Sequence, residues 1–141
     1  ALDHHGRLDM LVHDAAAADQ SDAAPLDDWQ AAQRARVDAL VLGCKHAIRT
    51  MRRAAGSGVI VNLVAGGDGI AASLAAGHSR RVARYCRAQG LPIRCNTLHA
   101  AAGGRDRGVT AEQVAAAALL LAGDGPSSFN GATLRLGRGA F

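Results

Sequence analysis

The chain has 141 residues, which suits one domain with a modest core, and 49% of them are apolar against only 3% aromatic, so that core must be built from closely packed Ala, Val and Leu. The formal charge is +4 and nearly all the positive charge is arginine, Lys45 being the single lysine; no zinc spacing, base-stacking aromatic set or helix-turn-helix pattern accompanies it, which argues against a nucleic-acid module. No signal-peptide pattern is present and no apolar run reaches bilayer length, so the expected setting is the cytoplasm.

Met10–His13 is a short apolar run that reads as a buried strand, and 15–25 reads as a loop. Asp27 or Asp28 can cap a helix carrying Trp29 in its first turn and running to about Ala55. Val37, Leu40, Val41, Cys44, Ile48 and Met51 recur along it at helical spacing, so one face should be buried. Val59–Val64 is β-branched and largely apolar, the pattern of a parallel strand covered on both faces. Gly66–Gly69 is a loop, and a second helix is expected from about Ala71 to Gln89, stopped by Gly90. A third strand spans Ile93–Leu98 and a loop Ala100–Gly108; Thr110 and Gln113 form a capping-box pattern opening a helix to about Ala122, and Thr133–Leu136 is a last strand. Strands alternating with helices imply an α/β domain with a parallel sheet.

Three widely spaced cysteines, Cys44, Cys86 and Cys95, without C-x-x-C, argue against a disulfide framework or a zinc site. Cys44 and Cys86 fall on helix faces and read as core residues. His13 and His99 are placed at the C-terminal ends of adjacent strands, where α/β sites form, and with Asp14 or Asp38 could make an acid/base or metal pair; solvated strand-end histidines are the plainer reading. Arg80, Arg81, Arg84 and Arg87 share one side of the second helix, and Arg49, Arg52 and Arg53 crowd the end of the first. They are either a solvated basic face or an interface for an acidic partner or the phosphates of a CoA-type ligand, which guanidinium forks hold bidentately.

Several stretches in order resemble the short-chain dehydrogenase/reductase family, and bacterial hydroxysteroid dehydrogenases in particular. Gly6–Val12 looks like the strand before that family's Asn-Asn-Ala-Gly motif, and Asp28–Val37 with Leu42–Met51 looks like the long helix after it. Gly58–Asn62 resembles the strand leading to the catalytic serine; Cys86–His99 resembles the end of the catalytic helix and the next strand; Thr110–Gly139 resembles the family's ending. The resemblance covers almost the whole chain. It implies a Rossmann-like three-layer fold, residues 1–141 forming the C-terminal half of one domain, with the first βαβ unit and its Gly-rich phosphate turn absent from this sequence.

The family's chemistry uses a tyrosine acid/base with a lysine four residues on, a substrate-orienting serine and a proton-relay asparagine. Position by position, the Asn-Asn-Ala-Gly motif falls on His13-Asp14-Ala15-Ala16 and the relay asparagine on Asp38. The serine falls on Ala65, or on Val64 with a one-residue slip; the tyrosine falls on Asp68 and the lysine on Ala72, while Tyr85 lies near the far end of that helix. None of the four residue types is kept. Asp68, beside glycines, reads as a turn residue rather than a new catalytic acid.

These readings lead to a non-catalytic subunit that assembles with an intact short-chain dehydrogenase acting on a hydroxyacyl-CoA or another secondary alcohol. The resemblance implies docking through the two long helices and the C-terminal helix and strand, with NAD(P) bound by the partner and no cofactor by this chain. Met10–His13, central in the family's sheet, would otherwise leave an open apolar edge. Two alternatives stand beside this reading: an active NAD(P)-dependent oxidoreductase whose cofactor-binding and Tyr-x-x-x-Lys segments lie outside this sequence, and a basic scaffold or nucleic-acid-binding module.

Overall fold

The computed structural model describes residues 5–15, 25–54, 56–66, 69–100, 109–123 and 129–137. Within them the elements run β1 (Met10–Asp14), α1 (Leu26–Ala54), β2 (Gly58–Ala65), α2 (Gly69–Ala88), β3 (Ile93–Ala100), α3 (Ala111–Ala122) and β4 (Thr133–Leu136). The strands form one sheet in the order β1-β2-β3-β4, with every neighbouring pair parallel.

The alternation of side chains along β2 and β3 sorts two cores. Ile60, Ile93 and Cys95 pack with Cys44, Ala47, Ile48 and Met51 of α1 and Val82 and Cys86 of α2. On the opposite face Val59, Val61 and Leu98 pack with Ala117, Ala118 and Leu121 of α3. Two helices above the sheet and one below give the three-layer, Rossmann-like arrangement that the sequence implies.

Helix ends follow their local chemistry. Thr110 accepts from the Gln113 backbone N–H while the Gln113 side chain accepts from the Thr110 N–H, the reciprocal cap expected for α3. After α2, Gly90 adopts φ +63, and the Leu91 N–H reaches back to the Cys86 carbonyl at 2.8 Å. In α1, Asp27 and Asp28 lie inside the first turn rather than at its cap, since the helix already begins at Leu26, and Arg52 and Arg53 occupy the last turn. Both pairs complement the helix dipole.

Three further expectations about the elements need correction. Val37 and Val41 are not buried but 38% and 40% exposed, because Leu40, Cys44, Ala47, Ile48 and Met51 already define the face on the sheet. Val41 lies about 100° round the helix from Leu40, past the edge of that face, whereas Val37 is on the buried side but N-terminal to Leu40, the first helix residue to be buried. The strands of His13 and His99 are not adjacent, since β2 lies between them. Ala100 belongs to β3 rather than to the loop that follows, being paired with Ala65 and Leu136. No helix among the described residues is long and apolar enough to cross a membrane.

Candidate functional site

In parallel α/β sheets the chemistry collects beyond the C-terminal strand ends. Here that end is lined with small aliphatic side chains. Ala15, just past β1, donates its N–H to the Leu63 carbonyl at 2.7 Å, prolonging the ladder, and packs in one cluster with Val64 of β2 and Ala71, Ala72 and Ala75 of α2. The structure thus brings together the positions that the resemblance assigns to the motif alanine, to the serine (on the Val64 register) and to the lysine. Ala65 is exposed at the end of β2. Asp68 lies outside the described residues.

Asp38 is exposed on α1 and does not line the groove of about 270 Å³ at the end of β1, whose walls are His13, Asp14, Ala15, Ala32, Ala35, Arg36 and Ala39. The groove is therefore faced by alanines from α1. The side chains of Val64, Ala65 and Ala72 carry no hydrogen-bond donor or acceptor. Among the described residues no cluster of three or more His, Cys, Asp or Glu could hold a metal ion.

The two histidines are half-buried rather than solvated. His99 Nε2 lies 3.1 Å from the Gly66 carbonyl, and His13 Nδ1 is buried without a partner among the described residues. Burial follows from packing: His13 sits under Gly43 of α1, where an added Cβ would come 3.5 Å from its ring.

Sequence reasoning missed a polar network inside the core. Asn62 Nδ2 donates to Ser79 Oγ at 2.9 Å, and Ser79 Oγ and Thr97 Oγ1 are 2.8 Å apart, all three side chains being fully buried. The same Nδ2 approaches Cys95 Sγ at 3.6 Å and Cys44 Sγ at 3.8 Å. The available signal was a polar residue in the middle of each of two apolar strands, and the register places Asn62 directly beside Thr97. Hydrogen bonding from the Cys95 thiol, with lesser help from His78 and Asn62, draws Cys44 down to about 5, whereas Cys95 is pushed up by the same neighbour and by burial. Burial also raises Cys86. Cys44 and Cys86 are core residues, as expected.

The arginines occupy separate settings. Arg49, Arg52 and Arg53 are exposed near the end of α1. On α2, Arg80, Arg84 and Arg87 line a groove of about 410 Å³ together with Gly77, Ala83, Asn130 and Gly131. Arg81 is exposed but does not line it, being turned a further residue round the helix.

The comparisons agree with this architecture. A family model described as enoyl-(acyl carrier protein) reductase matches residues 1–102. None of the curated proteins matches the chain. A short chain dehydrogenase from Mycobacterium smegmatis superposes with a TM-score of 0.78 at 22% identity, over 95% of this chain and 60% of its own. An oxidoreductase of the short chain dehydrogenase/reductase family from Burkholderia thailandensis does so with a TM-score of 0.70 at 21% identity, over 95% and 64%. This chain therefore spans less than two thirds of either neighbour's length, and at such identities the neighbours show the fold. With a family match over most of its residues and the parallel three-layer fold to go with it, the chain belongs to the short-chain dehydrogenase/reductase family.

Proposed function

We propose that this chain is a non-catalytic member of its family that assembles with, and supports, a catalytically intact short-chain dehydrogenase. The observation that carries this reading is the aliphatic cluster of Ala15, Val64, Ala71, Ala72 and Ala75, which includes the positions that the resemblance assigns to the motif alanine, to the lysine and, on the Val64 register, to the serine. Methyl groups there can neither hold a substrate oxygen nor move a proton to it.

The surface supports docking. Trp29, Val37 and Val41 are 43%, 38% and 40% exposed at intervals of eight and four residues, a continuous ridge along α1. Leu119 and Leu120 of α3 are 67% and 54% exposed. Both surfaces lie on elements through which the family resemblance implies assembly, and Arg49, Arg52 and Arg53 flank the first. NAD(P) would then belong to the partner's site.

The reading is tested by purifying the tagged chain from its native source and identifying what accompanies it. A family member with an intact Tyr-x-x-x-Lys motif should co-purify, and Val37→Glu with Val41→Glu should release it. Oxidation of a secondary alcohol with NAD(P) by the polypeptide alone would overturn it. One observation favours a second reading, an active oxidoreductase formed by a longer polypeptide. β1 lies at the edge of the described sheet with Val12 47% exposed, although the resemblance makes that strand central. An intact mass of the denatured polypeptide well above 14.4 kDa would support this alternative.

A further inference from the structure

The groove beside α2 has the make-up of an anion site. One wall carries three guanidinium groups, on Arg80, Arg84 and Arg87. At a rise of 1.5 Å per residue the first two are about 6 Å apart along the helix axis and the row is about 10 Å long. Small residues make the space: Gly77 and Ala83 lie on the helix side, and Gly131 opposite adopts φ +82, where a Cβ would come within 3.3 Å of the Ala83 Cβ.

The opposite wall is fixed by hydrogen bonds. Asn130 Oδ1 accepts from the Cys95 N–H at 3.1 Å, and the Gly131 N–H donates to the Cys95 carbonyl at 2.9 Å. On either side of this turn Asn96 accepts from the Ala132 N–H and donates to the Phe129 carbonyl, at 3.0 and 2.8 Å. With its oxygen accepting from the Cys95 N–H, Asn130 still has its amide N–H groups to donate. Among the described residues no carboxylate lines the groove and none of its three arginines makes an ion pair.

We infer that this groove binds a small ligand carrying a diphosphate, held between the arginine row and the Asn130 amide. The volume lies in the range of small-molecule sites, about 300–1,000 Å³. Guanidinium forks match phosphate oxygens bidentately, and two arginines one helical turn apart suit two linked phosphates better than one compact ion. The inference goes beyond docking to a dehydrogenase and does not rest on it: the groove is lined from α2 and the turn at Asn130–Gly131, and by none of Trp29, Val37 and Val41.

The test is calorimetric titration of the whole chain with inorganic pyrophosphate at fixed ionic strength, with ADP and a glutamate-rich peptide as further probes. Saturable one-to-one binding of pyrophosphate is expected. Arg84→Gln and Arg84→Glu should weaken it by about ten- to a hundredfold, the loss of one charged hydrogen-bonding group, while circular dichroism verifies the fold. Arg81→Glu, on the same helix but off the groove, should leave affinity unchanged. Tighter binding of ADP would assign the diphosphate to a nucleotide-like ligand, and equal binding would assign recognition to the phosphates alone; both support the site. Equal loss in Arg81→Glu and Arg84→Glu would reduce it to diffuse charge, tighter binding of the peptide would make it a protein contact, and absence of saturation would remove it. Any of these three overturns the inference.

Discussion

The guanidinium of Arg94, on β3, donates to the Leu121 carbonyl in the last turn of α3 at 2.9 Å. The same group reaches the Ala122 and Gly123 carbonyls at 3.0 and 2.8 Å. A helix end leaves its final carbonyls unpaired, and α3 has no basic residue of its own there. The sheet supplies the missing cation from beneath. Arg94→Ala should therefore cost about 2–3 kcal/mol in urea unfolding. Arg94→Lys should recover only part, since one ammonium cannot serve three carbonyls in fork geometry. Equal stability of the wild type and the alanine variant would show that water caps the helix just as well.

Ser79 joins Asn62 and Thr97 in the core, accepting from one and sharing a proton with the other. Ser79→Ala should leave both neighbours buried with unmet polar groups and cost about 1–3 kcal/mol, more than the loss of one hydroxyl from the surface. The triple change of Asn62→Leu, Ser79→Ala and Thr97→Val should cost less than the sum of the three single changes, because it removes the unmet groups together. Strict additivity in chemical denaturation would show that the three do not act as a network.

Most of this fold is legible in the residue pattern. β-branched runs bounded by glycine mark Val59–Val64, a capping box marks α3 and Gly90 marks the end of α2; each local signal agrees with the tertiary result. The errors arise where a property belongs to two elements at once. Nothing in α1 alone says that Val41 misses the sheet while Leu40 meets it, because the helix is apolar over more than one ridge. The pairing of Asn62 with Thr97 needs the β2–β3 register, and Ser79 needs α2 laid over both. Arg80, Arg81, Arg84 and Arg87 look alike in sequence; the turn at Asn130–Gly131 is what makes three of them a wall of the groove and leaves Arg81 outside. At the candidate site the sequence shows which residue types are lost. It does not show that the replacements pack together as one apolar cluster.

Gly58 opens β2 directly under Met51, and a Cβ there would run into the Met51 thioether. Met51 is fully buried and cannot swing into solvent. Gly58→Ala should destabilise the chain by about 1–3 kcal/mol through overpacking. Met51→Ala on its own should cost about 2–5 kcal/mol as a cavity. In the double variant the new methyl group enters vacated space, so the two penalties should combine to less than their sum. A fully additive cycle in equilibrium unfolding would place the strain elsewhere.

Cys44 offers a pH signature for the buried network. Its thiol is drawn down to about 5 chiefly by hydrogen bonding from Cys95, with His78 and Asn62 assisting against the opposing effect of burial. Folding thus makes the Cys44 thiol easier to ionise than in the unfolded chain, which keeps the ordinary thiol range. The sign follows from linkage: the stabilisation is complete above the unfolded thiol pKa and drains away as pH falls toward the native value; below that value both states hold the proton and nothing is left. The stability difference between wild type and Cys44→Ala should therefore narrow steadily from alkaline to mildly acidic pH. Thiolate absorbance in the folded wild type should persist at neutral pH and vanish in Cys44→Ala, and His78→Gln should shift its titration upward. Parallel stability curves for wild type and Cys44→Ala, with no thiolate absorbance at neutral pH, would show that Cys44 stays protonated and acts in the core only through its volume.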